Sequence, residues 1–146
     1  MTERLSPSAF IAQAQKRITN TFIDSLGIQL REVSDAHAVA EMSFRESLQQ
    51  LTGVFHAGAL LSLADTTATF ACLYWINDPL DGSQSSFPLT IQLSTNFIRN
   101  TGHGTVRARA VPVHRGRTTI VVETRVTDAN ERLLSTVTTT HLTVGG

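Results

Sequence analysis

The chain has 146 residues and a mass of 15.9 kDa, a length that fits one domain rather than two. Apolar residues make up 41% and charged residues 16%, which is enough for a sizeable core and excludes an intrinsically disordered chain. Twelve basic residues balance twelve acidic ones, so the chain lacks the positive field that binding to nucleic acid or anionic membranes needs.

The N-terminal residues indicate the cellular compartment in which we expect the protein. The sequence Met-Thr-Glu-Arg-Leu-Ser-Pro has mixed charge and is followed by no continuous apolar stretch, so it is unlike a signal peptide and we expect a cytoplasmic protein. The lone Cys72 cannot form an internal disulfide. It lies within an apolar run, where cysteine packs as a small hydrophobic residue, and we expect it to be inert.

Helical spacing marks the first segment. Apolar residues recur at steps of four through Phe10, Ala14, Ile18, Phe22 and Leu26. With Ser6 as a candidate N-cap and Gly27 as a stop, this spacing predicts an amphipathic helix over about 7–26. From residue 28 the spacing changes to two on both sides of a Ser34-Asp35 turn, which predicts a hairpin that ends near Phe44.

A second helix is predicted over 56–76, after a loop over 46–55. Its sequence, HAGALLSLADTTATFACLYWI, is apolar or small on every face, which is typical of a helix buried on all sides. Its length also fits a membrane span. However, Asp65 at its middle, with serine and threonine residues around it, argues against contact with lipid.

The rest of the chain has the character of strands. After a loop over 77–86, apolar residues alternate over 89–97, 106–110 and 120–126, and a final run over 133–144 is rich in threonine and valine. Tight turns between antiparallel neighbours are predicted at 100–102, 115–117 and 128–130, and Pro112 is expected at a bulge or edge. The order of elements predicts an α+β domain in which an antiparallel sheet wraps one central helix.

Asp65 is the first candidate for chemistry because it is the only charged side chain between Ala57 and Ile76. An unpaired charge in a buried helix is costly. The carboxylate is therefore either held by local hydroxyls, such as those of Thr66 and Thr69, or used as a base at a functional site. Thr69 lies one turn after Asp65 on the same face, where its hydroxyl either orients the acid or bonds back to the helix.

The start of the same helix offers a second set of groups. The N–H groups of Ala57 and Gly58 are unpaired donors at the positive end of the helix, where they can bind a carbonyl oxygen as it becomes an oxyanion. Gln50 and His56 flank this end and either take part in the site or satisfy the loop.

Other features of the sequence are weaker indications of a binding or catalytic site. Arg115 and Arg117, on either side of Gly116, either bind phosphate or are solvated. The five histidines have no metal-ligand spacing, and the sequence has no nucleophile-elbow motif and no Gly-rich phosphate loop. We therefore expect no metal site.

Taken together, these residues resemble those of the hotdog-fold acyl-CoA thioesterases, in the branch of the phenylacetate-pathway and 4-hydroxybenzoyl-CoA thioesterases. The resemblance covers about 27–144 and is carried by Gln50, Gly53, His56-Ala57-Gly58, Leu63-Ala64-Asp65, Thr69 and His114-Arg115-Gly116-Arg117. It implies a hotdog fold over a single domain, 1–146, with the antiparallel sheet wrapped around the buried central helix.

The resemblance also implies a role for each residue. Asp65 attacks the thioester carbon or activates water, the Ala57 N–H polarises the carbonyl, and Gln50 and Thr69 assist, next to His56 of the motif. Many members have glycine where Ala57 stands. Since the implied contact is through the backbone N–H, alanine can serve there, and the departure bears on substrate choice more than on catalysis.

The implied reaction is hydrolysis of an aryl or short- to medium-chain acyl-CoA at a site between two subunits. The resemblance implies a homodimer or homotetramer, with Gly58, Arg115 and Arg117 binding substrate, and no cofactor other than the coenzyme A of the substrate. Two alternatives remain open. One is a hotdog protein that binds acyl-CoA without catalysis, and the other is an enoyl-CoA hydratase, which needs a second acid–base residue that the sequence does not show at a recognisable spacing.

Overall fold

The structure is a computed structural model that describes residues 3–83 and 87–143. Six strands and three α-helices, with one short 3-10 helix at Glu46–Leu48, make up these residues. In chain order they are α1 (Pro7–Ile18), α2 (Phe22–Ser25), β1 (Gln29–Val33), β2 (Ala38–Ser43), α3 (Ala57–Trp75), β3 (Leu89–Phe97), β4 (Thr105–Arg115), β5 (Thr119–Thr127) and β6 (Leu133–Leu142).

The strands form one antiparallel sheet in the order β1-β2-β4-β5-β6-β3, and α3 contacts every strand of it. Apolar side chains of the sheet and of α3 form two buried clusters, one around each half of the helix. Burial of this apolar surface is the main favourable contribution to folding. The predicted α+β architecture, a sheet around a central helix, is confirmed.

The burial of α3 differs from the prediction along one stripe. Most of its side chains are buried, but Leu61, Ser62, Asp65, Thr66 and Thr69 are half-buried and lie on neighbouring turns. The polar members of this stripe avoid the cost of full desolvation because solvent reaches them. The helix is therefore buried on most faces and open on the one that carries Asp65. None of the described helices is long and apolar enough to cross a membrane.

The single helix expected over about 7–26 is two helices. Asn20 has a positive φ of 64°, which ends α1, and the Thr21 side chain accepts a hydrogen bond from the Asp24 N–H at 3.4 Å to cap α2. Asparagine tolerates the left-handed region and threonine is a favoured N-cap, so the break is encoded locally. The step of four continues across the break, and for that reason periodicity alone did not reveal it.

The turn predicted at 100–102 does not join neighbouring strands, because β3 pairs with β6 whereas β4 pairs with β2 and β5. The segment is a crossover that contacts the loop before α3. The Asn100 side chain donates to the Phe55 carbonyl at 2.7 Å, and a Cβ at Gly102 would overlap the Gly53 carbonyl oxygen. This close approach requires glycine and fixes the start of α3.

The remaining strand predictions agree with the structure within the described residues. The register of β4 against β5 shifts between Pro112 and His114, which confirms the bulge expected at that proline. Residues 84–86 of the predicted loop and residue 144 of the last predicted strand lie outside the described residues.

Candidate active site

Asp65 lies at the middle of α3, where the helix faces the first residues of β3. Its Oδ1 accepts a hydrogen bond from the Thr90 hydroxyl at 2.8 Å. The side chain is half-buried, so one carboxylate oxygen is bound by the protein while the residue still reaches open space. A carboxylate held in this way is oriented for proton transfer or for attack on a bound carbonyl.

The open space beside Asp65 is a cavity of about 430 Å³. Asp65, Thr66 and Thr69 form part of its wall, and Thr90 lies opposite. The apolar part of the lining comes from α1, α2, α3, the segment between α3 and β3, and the start of β3. Its described members are Ile18, Ile23, Phe70, Leu73, Leu80, Phe87, Pro88 and Leu89. The volume is within the range of small-molecule pockets, and the mainly apolar lining favours an apolar group next to Asp65.

His56 caps the start of α3. Its Nδ1 accepts a hydrogen bond from the Gly58 N–H at 2.8 Å, and a Cβ at position 58 would lie 2.9 Å from that nitrogen. Glycine at 58 therefore leaves room for the imidazole. The cap occupies the Gly58 donor, whereas no described residue accepts a hydrogen bond from the Ala57 N–H. Ala57 is exposed, so its N–H is the free donor at the positive end of the helix.

We expect His56→Ala to lower the free energy of unfolding by about 1 kcal/mol, because it removes the side-chain acceptor at an N-cap. His56→Asn should keep most of that stability, since asparagine is a favoured N-cap residue. Urea unfolding of the two variants and the wild type measures the difference. Equal stabilities for His56→Ala and wild type would show that the cap contributes nothing.

Gln50 is held in the loop before α3. Its side-chain Oε1 accepts from the Thr52 N–H, and its own N–H donates to the Val54 carbonyl at 2.8 Å. The side-chain amide group keeps its NH2 donors, and the residue is half-buried. His56, Ala57 and Gly58 thus form one group at the start of α3, and Gln50 lies in the loop that precedes them.

This group is separate from the cavity that contains Asp65 and Thr69. Ala57 and Asp65 are eight positions apart on one helix, which corresponds to about 12 Å along its axis. A reacting carbonyl must lie about 3 Å from both the attacking group and the oxyanion donors. Within one chain, Asp65 and Thr69 can therefore act on the same substrate carbonyl. Asp65 and Ala57 of one chain cannot, because they lie too far apart.

Arg115 lies near the other end of α3, and Arg117 follows it in the turn between β4 and β5. The Arg115 guanidinium lies 5.0 Å from the centroid of the Trp75 ring and donates to the Asp35 carbonyl at 2.9 Å. The Arg117 side chain is exposed, and no described residue bonds to its guanidinium. Neither residue is among those that line the cavity at Asp65. Their role in phosphate binding stays a prediction.

Two residues that contact the acid network were not expected from the sequence. Thr90 lies on β3, 25 positions after Asp65, and His141 lies on β6 with its Nδ1 at 3.4 Å from the Thr90 hydroxyl oxygen. Sequence spacing cannot join residues that only strand pairing brings together. The one available signal was a lone histidine in a run of valine and threonine, which are residue types favoured in strands.

Cys72 lies on α3 and is fully buried. Burial raises the pKa of its thiol to about 12, and the charge of Asp65 acts in the same direction. The reactive form of cysteine is the thiolate, so this thiol is inert. The expectation that Cys72 is part of the core is confirmed.

Comparison with known proteins places the chain in a family. Residues 52–135, more than half of the chain, match the model of the thioesterase superfamily. A provisionally named esterase of Mycobacterium tuberculosis is 30% identical over 84% of this chain and 85% of its own length. The 1,4-dihydroxy-2-naphthoyl-CoA hydrolase of Listeria monocytogenes is 26% identical over 76% of this chain and 85% of its own length.

A solved structure shares the fold. The PaaI protein of E. coli, from the phenylacetic acid degradation operon, superposes with a TM-score of 0.80 at 23% identity, covering 97% of this chain and 98% of its own. At this identity the likeness concerns the fold, and it agrees with the sheet around α3 described above. On the match to the family model and the 30% identical relative, this chain belongs to the thioesterase superfamily, a family of thioester hydrolases.

Proposed function

We propose that this chain hydrolyses acyl-CoA thioesters that carry an aryl or a short- to medium-chain acyl group. The observation that carries the proposal is the Asp65 carboxylate, held by Thr90 at 2.8 Å, in the wall of a cavity that is otherwise mainly apolar. Among the described residues, the only other charged members of the lining are Arg17 and Asp78. Membership of the thioesterase superfamily and the name of the Listeria relative support a CoA thioester as substrate.

In the proposed reaction, water adds to the thioester carbon while Asp65 takes one of its protons. The carbonyl oxygen becomes an oxyanion that accepts from the Ala57 N–H, at the positive end of α3, with Gln50 beside it. The carbon–sulfur bond then breaks, and the coenzyme A sulfur leaves and takes up a proton. Direct attack by Asp65 on the same carbon would use the same groups. Thr69 faces the cavity, where its hydroxyl can orient the water.

The site is proposed to be shared by two subunits, because Asp65 and Ala57 of one chain lie about 12 Å apart along the helix axis. A second copy can bring its own helix start to the first copy's Asp65. In a two-fold symmetric dimer each chain then contributes the acid to one site and the oxyanion donor to the other. The half-buried stripe of α3 that carries Asp65 faces the open side where the second copy would lie.

The exposed edge of the sheet favours β3 as the dimer contact. Within the described part of the chain β3 pairs only with β6, so its other edge has free backbone groups, and its side chains Leu89, Ile91 and Phe97 are exposed apolar residues. A long exposed edge of this kind is a template for pairing with another strand. Antiparallel pairing of two β3 strands would continue the sheet across both chains.

We expect Ile91→Lys to weaken the dimer, because a lysine on an edge strand opposes strand pairing. Ile91 is 56% exposed on β3, and Val113, which is 62% exposed on β4, provides the control. Light scattering coupled to size exclusion should show a dimer or larger for the wild type and Val113→Lys, and a shift toward monomer for Ile91→Lys. A wild-type monomer at micromolar concentration would refute the shared site.

Arg117 and Gly58 are proposed to contribute to binding of the acyl-CoA substrate. Arg117 is exposed and has a free guanidinium among the described residues, whereas Arg115 is already bonded to the Asp35 carbonyl. Arg117 is therefore the stronger of the two proposed phosphate ligands. The Gly58 N–H is occupied by His56, so in this proposal Gly58 contributes space for the substrate rather than a donor.

The proposal is tested by release of free thiol from a panel of aryl-, short- and medium-chain acyl-CoAs. Turnover of at least one member by the wild type supports the proposed function. Binding of acyl-CoA without turnover would favour the non-catalytic alternative. A hydratase needs a second acid–base group that reaches substrate, and the imidazole that contacts the Asp65–Thr90 pair, that of His141, is fully buried behind Thr90.

A further inference from the structure

His141 is a buried histidine that no step of the proposed reaction uses. It lies on β6, directly opposite Thr90 of β3, and its side chain is 0% exposed. Its Nδ1 is 3.4 Å from the Thr90 hydroxyl oxygen, and its Nε2 is 2.8 Å from the hydroxyl oxygen of Thr139. A chain of hydrogen bonds therefore runs from Thr139 through His141 and Thr90 to Asp65.

The donors in this chain can be assigned from the number of hydrogens. The Thr90 hydroxyl has one hydrogen, and it is donated to Asp65 Oδ1, so the Thr90 oxygen can only accept from His141. Nδ1 must then carry the imidazole proton. In the neutral ring Nε2 is left with a lone pair, which accepts from the Thr139 hydroxyl. One neutral tautomer thus satisfies all three hydrogen bonds. In each of them the hydrogen is donated in the direction that leads from Thr139 to Asp65.

The surroundings keep this imidazole neutral. Burial lowers the pKa of His141, and the opposing effects of the Asp65 charge from α3 and of the Pro88 backbone carbonyl are smaller. β3 contributes the Thr90 hydroxyl, and the residue opposite His141 on β5 is Ile120, which is apolar. No other charge acts appreciably on the ring among the described residues.

We propose that His141, as a neutral imidazole protonated at Nδ1, is a positioning residue that holds the Thr90 hydroxyl with its hydrogen directed at Asp65 Oδ1. The inference rests on the proposed function, because it concerns the orientation of the acid that carries the reaction. A hydroxyl free to rotate can point its hydrogen elsewhere, and Asp65 would then lose a fixed orientation. Since His141 is buried behind Thr90, it acts on Asp65 through Thr90 and does not touch substrate.

Two substitutions of similar size separate this role from simple filling of space. The amide nitrogen of asparagine branches from Cγ and can occupy the position of Nδ1, whereas that of glutamine reaches the position of Nε2. We expect His141→Leu and His141→Gln to lower kcat about tenfold with little change in KM. His141→Asn should stay within about threefold of the wild type. His103→Asn, on an exposed loop, is the matched control and should leave kcat unchanged.

Thermal unfolding of each variant shows whether it is folded at the assay temperature. Equal kcat values for folded His141→Leu and wild type would overturn the proposal, as would rescue by glutamine rather than by asparagine. A uniform loss in all three variants, with KM rising as much as kcat falls, would point to general disruption of the cavity and would also overturn it.

The tautomer provides a readout that does not depend on activity. Nitrogen–proton correlation NMR of ¹⁵N-labelled protein distinguishes a ring protonated at Nδ1 from one protonated at Nε2 or at both, and His141→Asn identifies the signal. We expect the Nδ1–H form at pH 7, with a shift of its signal in Thr90→Val. An Nε2–H ring or an imidazolium would refute the bond chain. An inactive wild type with the Nδ1–H form would instead refute the proposed function and the catalytic role while leaving the bond chain supported.

Discussion

Asp65→Asn lowers kcat for the best acyl-CoA substrate about 10³- to 10⁴-fold, while the protein folds and binds acyl-CoA as before. Asparagine has nearly the same size as aspartate, and its side-chain oxygen can still accept from the Thr90 hydroxyl that now binds Oδ1. What it loses is the negative charge that takes the proton from water or attacks the thioester carbon. Steady-state release of coenzyme A thiol measures the change.

Asp35→Asn is the matched control for this prediction. Asp35 is an exposed carboxylate that forms an ion pair with Arg4 at 2.8 Å, so its loss has little effect on stability and none on the cavity. Its kcat should equal that of the wild type. If Asp65→Asn hydrolyses acyl-CoA as fast as Asp35→Asn, Asp65 has no catalytic role and the acid of this site lies elsewhere.

Ala57→Pro lowers kcat about 10²- to 10³-fold, because it removes the one backbone N–H at the start of α3 that has no partner within the described residues. Proline is favoured at the first position of a helix, where its missing donor breaks no helical bond. It also requires an extended conformation in the residue before it, and His56 already has φ −63° and ψ 135°. The substitution therefore removes a donor with little change in structure.

Ala57→Ser keeps the N–H and adds a side chain at the same exposed position, so it controls for crowding of the substrate. We expect its kcat to stay near that of the wild type. If the proline and serine variants lose activity equally, the effect is steric. If neither loses activity, the oxyanion is bound by other donors, such as the Gln50 side chain.

Much of the fold could be predicted from the sequence because local patterns encode it. The alternation over 89–97 fixed the bounds of β3, and the continuous apolar character of 56–76 identified α3. The break at Asn20 and the crossover at 100–102 were missed. The helical periodicity continues across Asn20, but it does not specify the backbone conformation of that residue. The composition of 100–102 is typical of a turn, but it does not specify which strands pair on either side.

The candidate site could be predicted from the sequence where its residues lie on α3 or directly before it. A lone charge in an apolar helix pointed to Asp65, and a spacing of four pointed to Thr69. Thr90 and His141 reach Asp65 only through the pairing of β3 with β6, which spans 51 positions between them. The helix spacing gives a physical reason for the shared site that the resemblance implies, because Asp65 and Ala57 of one chain lie too far apart to serve the same carbonyl.

The central claim, a thioesterase site formed by Asp65 of one subunit and Ala57 of its partner, is tested most directly by mixing two inactive variants. Asp65→Asn and Ala57→Pro are unfolded together, refolded at equal concentration and assayed for thiol release. Random pairing makes half of the dimers mixed, and each mixed dimer has one intact site of two, so about a quarter of the wild-type rate should return. No recovery, with mixed dimers shown to form, would contradict the shared site.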